Sequence, residues 1–152
     1  MKIGVIADTH GLLRPEAVEA LQDSELLLHA GDIDRREVLE QLRAIAPLHA
    51  VRGNCDRGAW AQALPETEVV SVAGRDLYMI HDIGQLDLEP AAAGFAAVIY
   101  GHSHQPEIEQ RKGVLYLNPG SAGPRRFSLP VCVAHLHVDA TGLRAEIIAL
   151  DV

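Results

Sequence analysis

Apolar residues in the first half of the chain fall in short runs, and each run stops at a cluster of glycine and polar positions. Residues 2–7 predict a buried strand, and residues 25–30 and 48–51 repeat the pattern. Between them, residues 15–22 predict a helix with Pro15 near its first turn. Residues 35–46 carry the clearest amphipathic helix. Val38, Leu39, Leu42, Ile45 and Ala46 recur at helical spacing, Arg36, Glu37, Glu40 and Arg43 can face water, and Pro47 closes the segment. Strand, helix, strand, helix, strand predicts a parallel α/β core with right-handed crossovers.

Beyond residue 67 the pattern changes to paired strands. Residues 68–72 and 77–80, separated by Ala73-Gly74-Arg75-Asp76, predict a hairpin. Residues 107–111 and 114–117 predict a second, joined through Lys112-Gly113, and residues 131–138 and 143–150 a third. A short helix at 90–94, with Pro90 in its first turn, leads into a strand at 96–100. The expected fold is α/β: a four-layer αββα sandwich of two packed mixed sheets with helices outside, forming one domain over 1–152. No repeat, linker or low-complexity tract interrupts it.

A chain of 152 residues, 48% hydrophobic and 22% charged, has the composition of a globular protein with a real core. Its two cysteines, Cys55 and Cys132, lie far apart, which argues against a disulfide framework and suits a reducing compartment. The N-terminal apolar run is too short for a signal peptide, and no run approaches the roughly 20 residues of a membrane span. A cytoplasmic protein is expected. A net charge of −8 argues against broad nucleic-acid binding, yet leaves a phosphate substrate open, because bound cations can supply local positive charge.

In such sheets the ligand crevice lies outside the carboxyl ends of the strands. Asp8 and His10 follow the first strand, Asp32 the second and Asn54 the third. His81 follows the strand at 77–80, and His102 and His104 follow the strand at 96–100. These carboxylates, imidazoles and one amide suit manganese, iron, zinc or nickel, and they lack the thiolates of a structural zinc site. Seven donors exceed one ion's needs. Two ions sharing a carboxylate would use them all, and a pair ~3.5–4 Å apart is the usual arrangement for phosphoester hydrolysis.

In order and spacing, Asp8-x-His10, Gly31-Asp32, Gly53-Asn54, His81 and Gly101-His102-x-His104 resemble the signature of the calcineurin-like metallophosphoesterase superfamily. The small size, Gly53-Asn54-Cys55-Asp56 and Asn118-Pro119-Gly120-Ser121 look most like its short bacterial and archaeal phosphodiesterase branch. The resemblance implies one ion held by Asp8, His10, Asp32 and His104, and another held by Asp32, Asn54, His81 and His102. Asp32 would bridge, so the two histidines of the last motif would serve different ions. The resemblance further implies two divalent ions, manganese foremost with nickel, iron or zinc as the other choices, and in-line attack on phosphorus by a hydroxide held between them. Many relatives carry a histidine after the asparagine, where it protonates the leaving oxygen with the support of the next acid. Here Cys55 and Asp56 stand at those positions. A thiol of reference pKa ~8.5 is a poor match for that role, which points to diesters with good leaving groups rather than unactivated monoesters. The candidate catalytic residues are therefore Asn54, Cys55, Asp56 and His10, with Asn54 and Arg125 as candidate substrate contacts.

Other polar residues receive structural expectations. His29 reads as a packed strand histidine, with a place behind the site as the alternative. His49 is assigned no role in the site. His135 and His137 share one face of a strand with no evident carboxylate partner, and Cys132 reads as core. Asp34 and Arg35 read as capping or beginning a helix rather than acting chemically, Asn118-Pro119-Gly120-Ser121 as a turn shaping the cleft, and Arg125 and Arg126 as either phosphate contacts or a solvated pair. The leading function is a dinuclear phosphodiesterase acting on a small phosphodiester or nucleotide. The rivals are a noncatalytic scaffold like the retromer subunit of this superfamily, and a phosphomonoesterase or nucleotidase. Neither membrane nor strong nucleic-acid binding is expected, and a homo-oligomer is left open.

Overall fold

The computed structural model describes residues 1–152 and contains ten strands in two five-stranded sheets. The first half supplies β1 (Lys2–Ile6), α1 (Pro15–Leu21), β2 (Leu26–His29), α2 (Arg36–Arg43) and β3 (Leu48–Ala50). The short α3 (Ala59–Gln62) precedes β4 (Thr67–Val72), β5 (Arg75–Ile80), α4 (Pro90–Ala93) and β6 (Ala97–Ile99). The chain ends with β7 (Glu107–Arg111), β8 (Val114–Asn118), β9 (Cys132–Asp139) and β10 (Gly142–Ala149). One sheet runs β10-β9-β1-β2-β3 and the other β4-β5-β6-β8-β7. The β1-β2-β3 block is parallel, as are β5-β6 and β6-β8, while β9, β10, β4 and β7 pair antiparallel, so both sheets are mixed.

Alternation along the strands builds the layers. Ile3, Val5 and Ala7 point inward from β1 and its end, where they meet Leu77 and Met79 of β5 and Leu115 and Leu117 of β8 between the sheets. Ile6 and Leu27, on the opposite face of the first sheet, pack under Ala17 and Leu21 of α1 and Val38, Leu39 and Leu42 of α2. The outer face of the second sheet buries Tyr78, Ile80, Val98, Tyr100 and Tyr116 beneath Ala91 of α4 and Phe95. That fourth layer is thinner than the sequence pattern implies. It consists of the single turn of α4 and a 3-10 turn at Ile83–Gln85.

Three local differences from expectation have physical causes. Helix α2 ends at Arg43 rather than near Ala46, because Pro47 disfavours helical geometry in the residue before it. Helix α3 was not anticipated: at four residues it carries no periodicity, and it follows Gly58 at φ 99°. Asp34 does not cap α2, whose N-cap is Arg35 without a side-chain bond. The hairpin turns agree with their composition, since Ala73-Gly74 and Lys112-Gly113 have positive φ at both central residues, as two-residue turns that match strand twist require. No helix is long and apolar enough to cross a membrane.

Leu117 is fully buried at the centre of the inter-sheet core. Leu117→Ala should reduce unfolding free energy by about 2–5 kcal/mol in a urea titration, through lost transfer energy and the cavity left behind.

Candidate metal centre

Strand alignment delivers the polar residues to one edge of the sandwich. Asp8, His10, Asp32, His81, His102 and His104 follow β1, β2, β5 and β6 within a few residues, and Asn54 follows β3. The chain bends sharply at each place. Asp8, His10, Asp32, His102 and His104 all lie at positive φ, between 47° and 74°, and so does Asp34 at 69°. Such left-handed geometry costs non-glycine residues on the order of 1–3 kcal/mol each, and its concentration here marks a functional site. Glycines permit the close packing. A Cβ on Gly53 would collide with Asp32 Oδ1 and the Asp32 backbone nitrogen, and one on Gly31, itself at φ 104°, would lie 2.6 Å from His81 Nδ1.

Three groups of donors result, one of them His10, Asp32 and the exposed Cys55. Asp8, His10 and His104 bring ligand atoms within 4.8 Å of one another, and so do Asp32, His81 and His102, so the histidines of Gly101-His102-Ser103-His104 fall in different groups. His10 Nε2 faces His104 Nε2 at 3.2 Å. His81 Nε2 lies 3.2 Å from Asp32 Oδ2 and 3.1 Å from Asn54 Oδ1. Donors sharing an ion at about 2.0–2.1 Å stand about 2.9–3.4 Å apart at tetrahedral or octahedral angles, so these pairs are spaced for cations. Asp32 Oδ2 sits between two of the imidazoles, 3.2 Å from His81 Nε2 and 3.8 Å from His10 Nε2.

Asp8 provides the decisive fit. Its side chain is sealed from solvent, Oδ2 accepts the His102 N–H at 3.1 Å, and Oδ1 has no hydrogen-bond partner. His10, His81 and His104 turn their Nε2 atoms toward that oxygen from 3.6–4.0 Å. Burial pushes the Asp8 carboxyl up to about 7, against the pull of His81 and His10. A carboxylate so placed holds a proton at moderately acid pH unless a cation takes the proton's place. Burial would likewise raise Asp32, but the hydrogen bonds from His81 and the Cys55 N–H outweigh it and hold the group down to about 2. Burial would lower His81, yet Asp32 and Asp8 lift it above the ordinary imidazole range. Its Nδ1–H donates to Ala30 O at 2.7 Å, leaving Nε2 directed at the centre.

Surrounding residues fix the donors. Asp56 does not reach into the cleft as a catalytic acid would. It is buried, and its carboxylate accepts the N–H groups of Asp32, Ile33, Asp34 and Gly53 at 2.7–3.0 Å, clamping the loop after β2 to the loop after β3. Asp34 proves to be a partner of the site: its Oδ2 accepts the His10 Nδ1–H at 3.1 Å, which aims Nε2 inward. His29 is fully buried behind the site, where Nδ1 accepts the Gly31 N–H, Nε2 meets the Thr9 hydroxyl at 3.0 Å, and that hydroxyl donates to Ile33 O. Burial drives its pKa down to about 3, so it stays neutral. Asn118, also fully buried, donates through Nδ2 to Gly101 O and Ser103 Oγ, and its Oδ1 accepts from Gly120 N–H, so the turn it begins shapes the His102 loop.

Two further expectations are corrected, for Arg125 and for the pair His135 and His137. Arg125 is turned away, its guanidinium donating to Leu129 O and Val152 O. Burial first, and then the charge of Arg126, push His104 down to about 4. His135 and His137 do have a carboxylate neighbour, Glu146 Oε1 at 3.6 and 3.5 Å, supplied by the cross-strand register of β9 and β10. Cys55 is exposed at the rim, with Sγ close to His10 and Asp32. Burial and the charges of Asp32 and Asp34 raise its thiol above the ordinary value. Cys132 is buried core, its thiol pushed up to about 11 by desolvation.

Residues 1–141 match the calcineurin-like phosphoesterase superfamily domain. The chain belongs to that superfamily. Within it the chain falls in the short archaeal and bacterial phosphodiesterase branch. It is similar to a probable metallophosphoesterase of Methanothermobacter thermautotrophicus, 38% identical over 97% of this chain and 92% of the relative. It is also similar to phosphodiesterase MJ0936 of Methanocaldococcus jannaschii, 32% identical over 79% of this chain and 83% of that one. The crystal structure of Vps29 from Chaetomium thermophilum shares the fold at TM-score 0.79, with 20% identity over 99% of this chain and 98% of that chain. As a calcineurin-like phosphoesterase, the protein has the two mixed sheets of the family and a buried His/Asp cluster consistent with metal binding.

Asp34→Gly keeps the left-handed backbone but removes the carboxylate behind His10. Calorimetric titration with manganese should show affinity about 10–100-fold weaker, the usual cost of losing such a support, and unchanged affinity would confine Asp34 to the backbone turn.

Proposed function

We propose that the protein is a dinuclear metal-dependent phosphodiesterase. The observation that carries this reading is Asp8 Oδ1, buried, unpartnered and ringed by three imidazole nitrogens. In this reading Asp8, His10, Asp32 and His104 hold one divalent cation, and Asp32, Asn54, His81 and His102 the other, with manganese the first choice. When bound, such cations neutralise charge on the phosphoryl oxygens and lower the pKa of the attacking water.

The chain's own residues then divide the work. Asp34 and Ala30 O keep the Nε2 atoms of His10 and His81 turned inward. Asn54 directs Oδ1 to the His81 side, and its amide N–H, otherwise facing only Cys55 Sγ at 3.7 Å, is free to hold a phosphoryl oxygen. Arg126, not Arg125, supplies positive charge on the His104 side. Cys55 occupies the place from which a leaving oxygen would take its proton, and its raised pKa makes it a weak donor. Alcohols that leave as stable anions are therefore favoured, and simple monoesters disfavoured. The full set of seven candidate ligands is present, which supports an enzyme over a scaffold.

Metal-free protein should take up two equivalents of manganese and then hydrolyse bis(p-nitrophenyl) phosphate faster than p-nitrophenyl phosphate. Absence of both uptake and turnover with manganese, nickel, zinc and magnesium would sink the proposal. Replacing the rim thiol by an imidazole, Cys55→His, should shift relative kcat/KM toward the monoester by about 10-fold or more, the scale of a positioned general acid. An unaltered ratio would remove Cys55 from the account of specificity.

A further inference from the structure

A cleft of about 500 Å³ opens from the His81 side of the centre, sharing Asn54, His81 and His102 with it. Its volume suits a small-molecule substituent rather than a polymer. One wall is the chain after β3 and the start of β4, with Arg52 and Glu66, and the other is the segment after β5, with Asp82 and Asp87. Tyr78 and Ile80 of β5 are its two apolar lining residues, too few to sandwich a nucleobase.

The charges in the cleft are not balanced. Arg52 is committed: Nη2 donates to Glu66 Oε1 at 2.8 Å, and Nη1 to Leu64 O and Gln62 Oε1 at 3.3 and 3.4 Å. It therefore cancels Glu66 and is not free to grip a second phosphate. Asp82 and Asp87 have no such cation. Asp82 uses Oδ1 on the Gly84 N–H, while Oδ2 stands 3.9 Å from His102 Nε2. Two carboxylates without a committed cation, beside the proposed phosphate position, complement a positive group and repel a further anion.

We propose that this cleft receives the second ester group of a phosphodiester and selects a small alcohol bearing an ammonium group over a neutral or phosphorylated one. The proposal rests on the phosphodiesterase reading and adds a substrate class to it: diesters of phosphate with an amino alcohol.

The test compares two p-nitrophenyl diesters that differ only in charge, the phosphocholine ester and its carbon isostere, the 3,3-dimethylbutyl ester, on manganese-loaded protein. The choline ester should have the higher kcat/KM by about 10-fold, the scale of two partly shielded ion pairs. Asp87→Lys should bring the ratio to one or below. A wild-type ratio at or below one, or a ratio indifferent to Asp87→Lys, overturns the proposal. Calorimetric binding of phosphocholine against 3,3-dimethylbutyl phosphate separates the two readings. If neither ester is hydrolysed but phosphocholine still binds about 10-fold more tightly and loses that preference in Asp87→Lys, the cleft's selectivity stands and the hydrolytic function falls. Equal binding of the two phosphates overturns the selectivity whatever the turnover.

Discussion

A carboxylate oxygen without a partner, closed off from water, is the constraint on which this structure turns. Asp8 Oδ1 lies in the interior of the site with three imidazole nitrogens around it and nothing to donate to it. Leaving such an atom uncompensated is costly, and a cation is the compensation that these neighbours can hold in common. The left-handed backbone at five donor positions follows from the same demand. Strand ends that continued in extended geometry would carry their side chains past one another, and the sharp bends turn them inward.

Strain of that kind persists only where surrounding structure over-determines it. Here the supports are themselves buried and saturated. Asp56 gathers four backbone N–H groups from two loops, and His29 joins the Gly31 turn to Thr9 and through it to Ile33. Asn118 does the same for the loop that carries His102 and His104. The fold's rigid elements stop short of the donors, and this ring of polar contacts carries their geometry across the last few residues to the centre.

Much of this was legible in the chain itself. The apolar runs and their polar ends predicted nearly every strand, because strand length and alternation are local properties, and the donor types could be read directly at those ends. The roles of Asp34, Asp56 and Arg126 were not, and a place for His29 behind the site was only the alternative reading. Each depends on a partner 20 or more residues distant: His10 for Asp34, the Asp32 loop for Asp56, Thr9 for His29, and His104 for Arg126. Glu146 beside His135 and His137 escaped for the same reason, since it comes into range only through the register of β9 with β10.

By itself, then, the sequence determined the layered α/β architecture, the family and the inventory of candidate metal-binding atoms. Periodicity, turn chemistry and residue type act within a few positions of one another, and the motifs recur in a fixed order. Only the tertiary structure decided which oxygen is left without a partner and which carboxylates orient donors. It also decided that a cleft with two unpaired carboxylates opens beside the site. Burial and electrostatic pairing are set by groups that meet across loops and between strands, and no local pattern encodes that meeting.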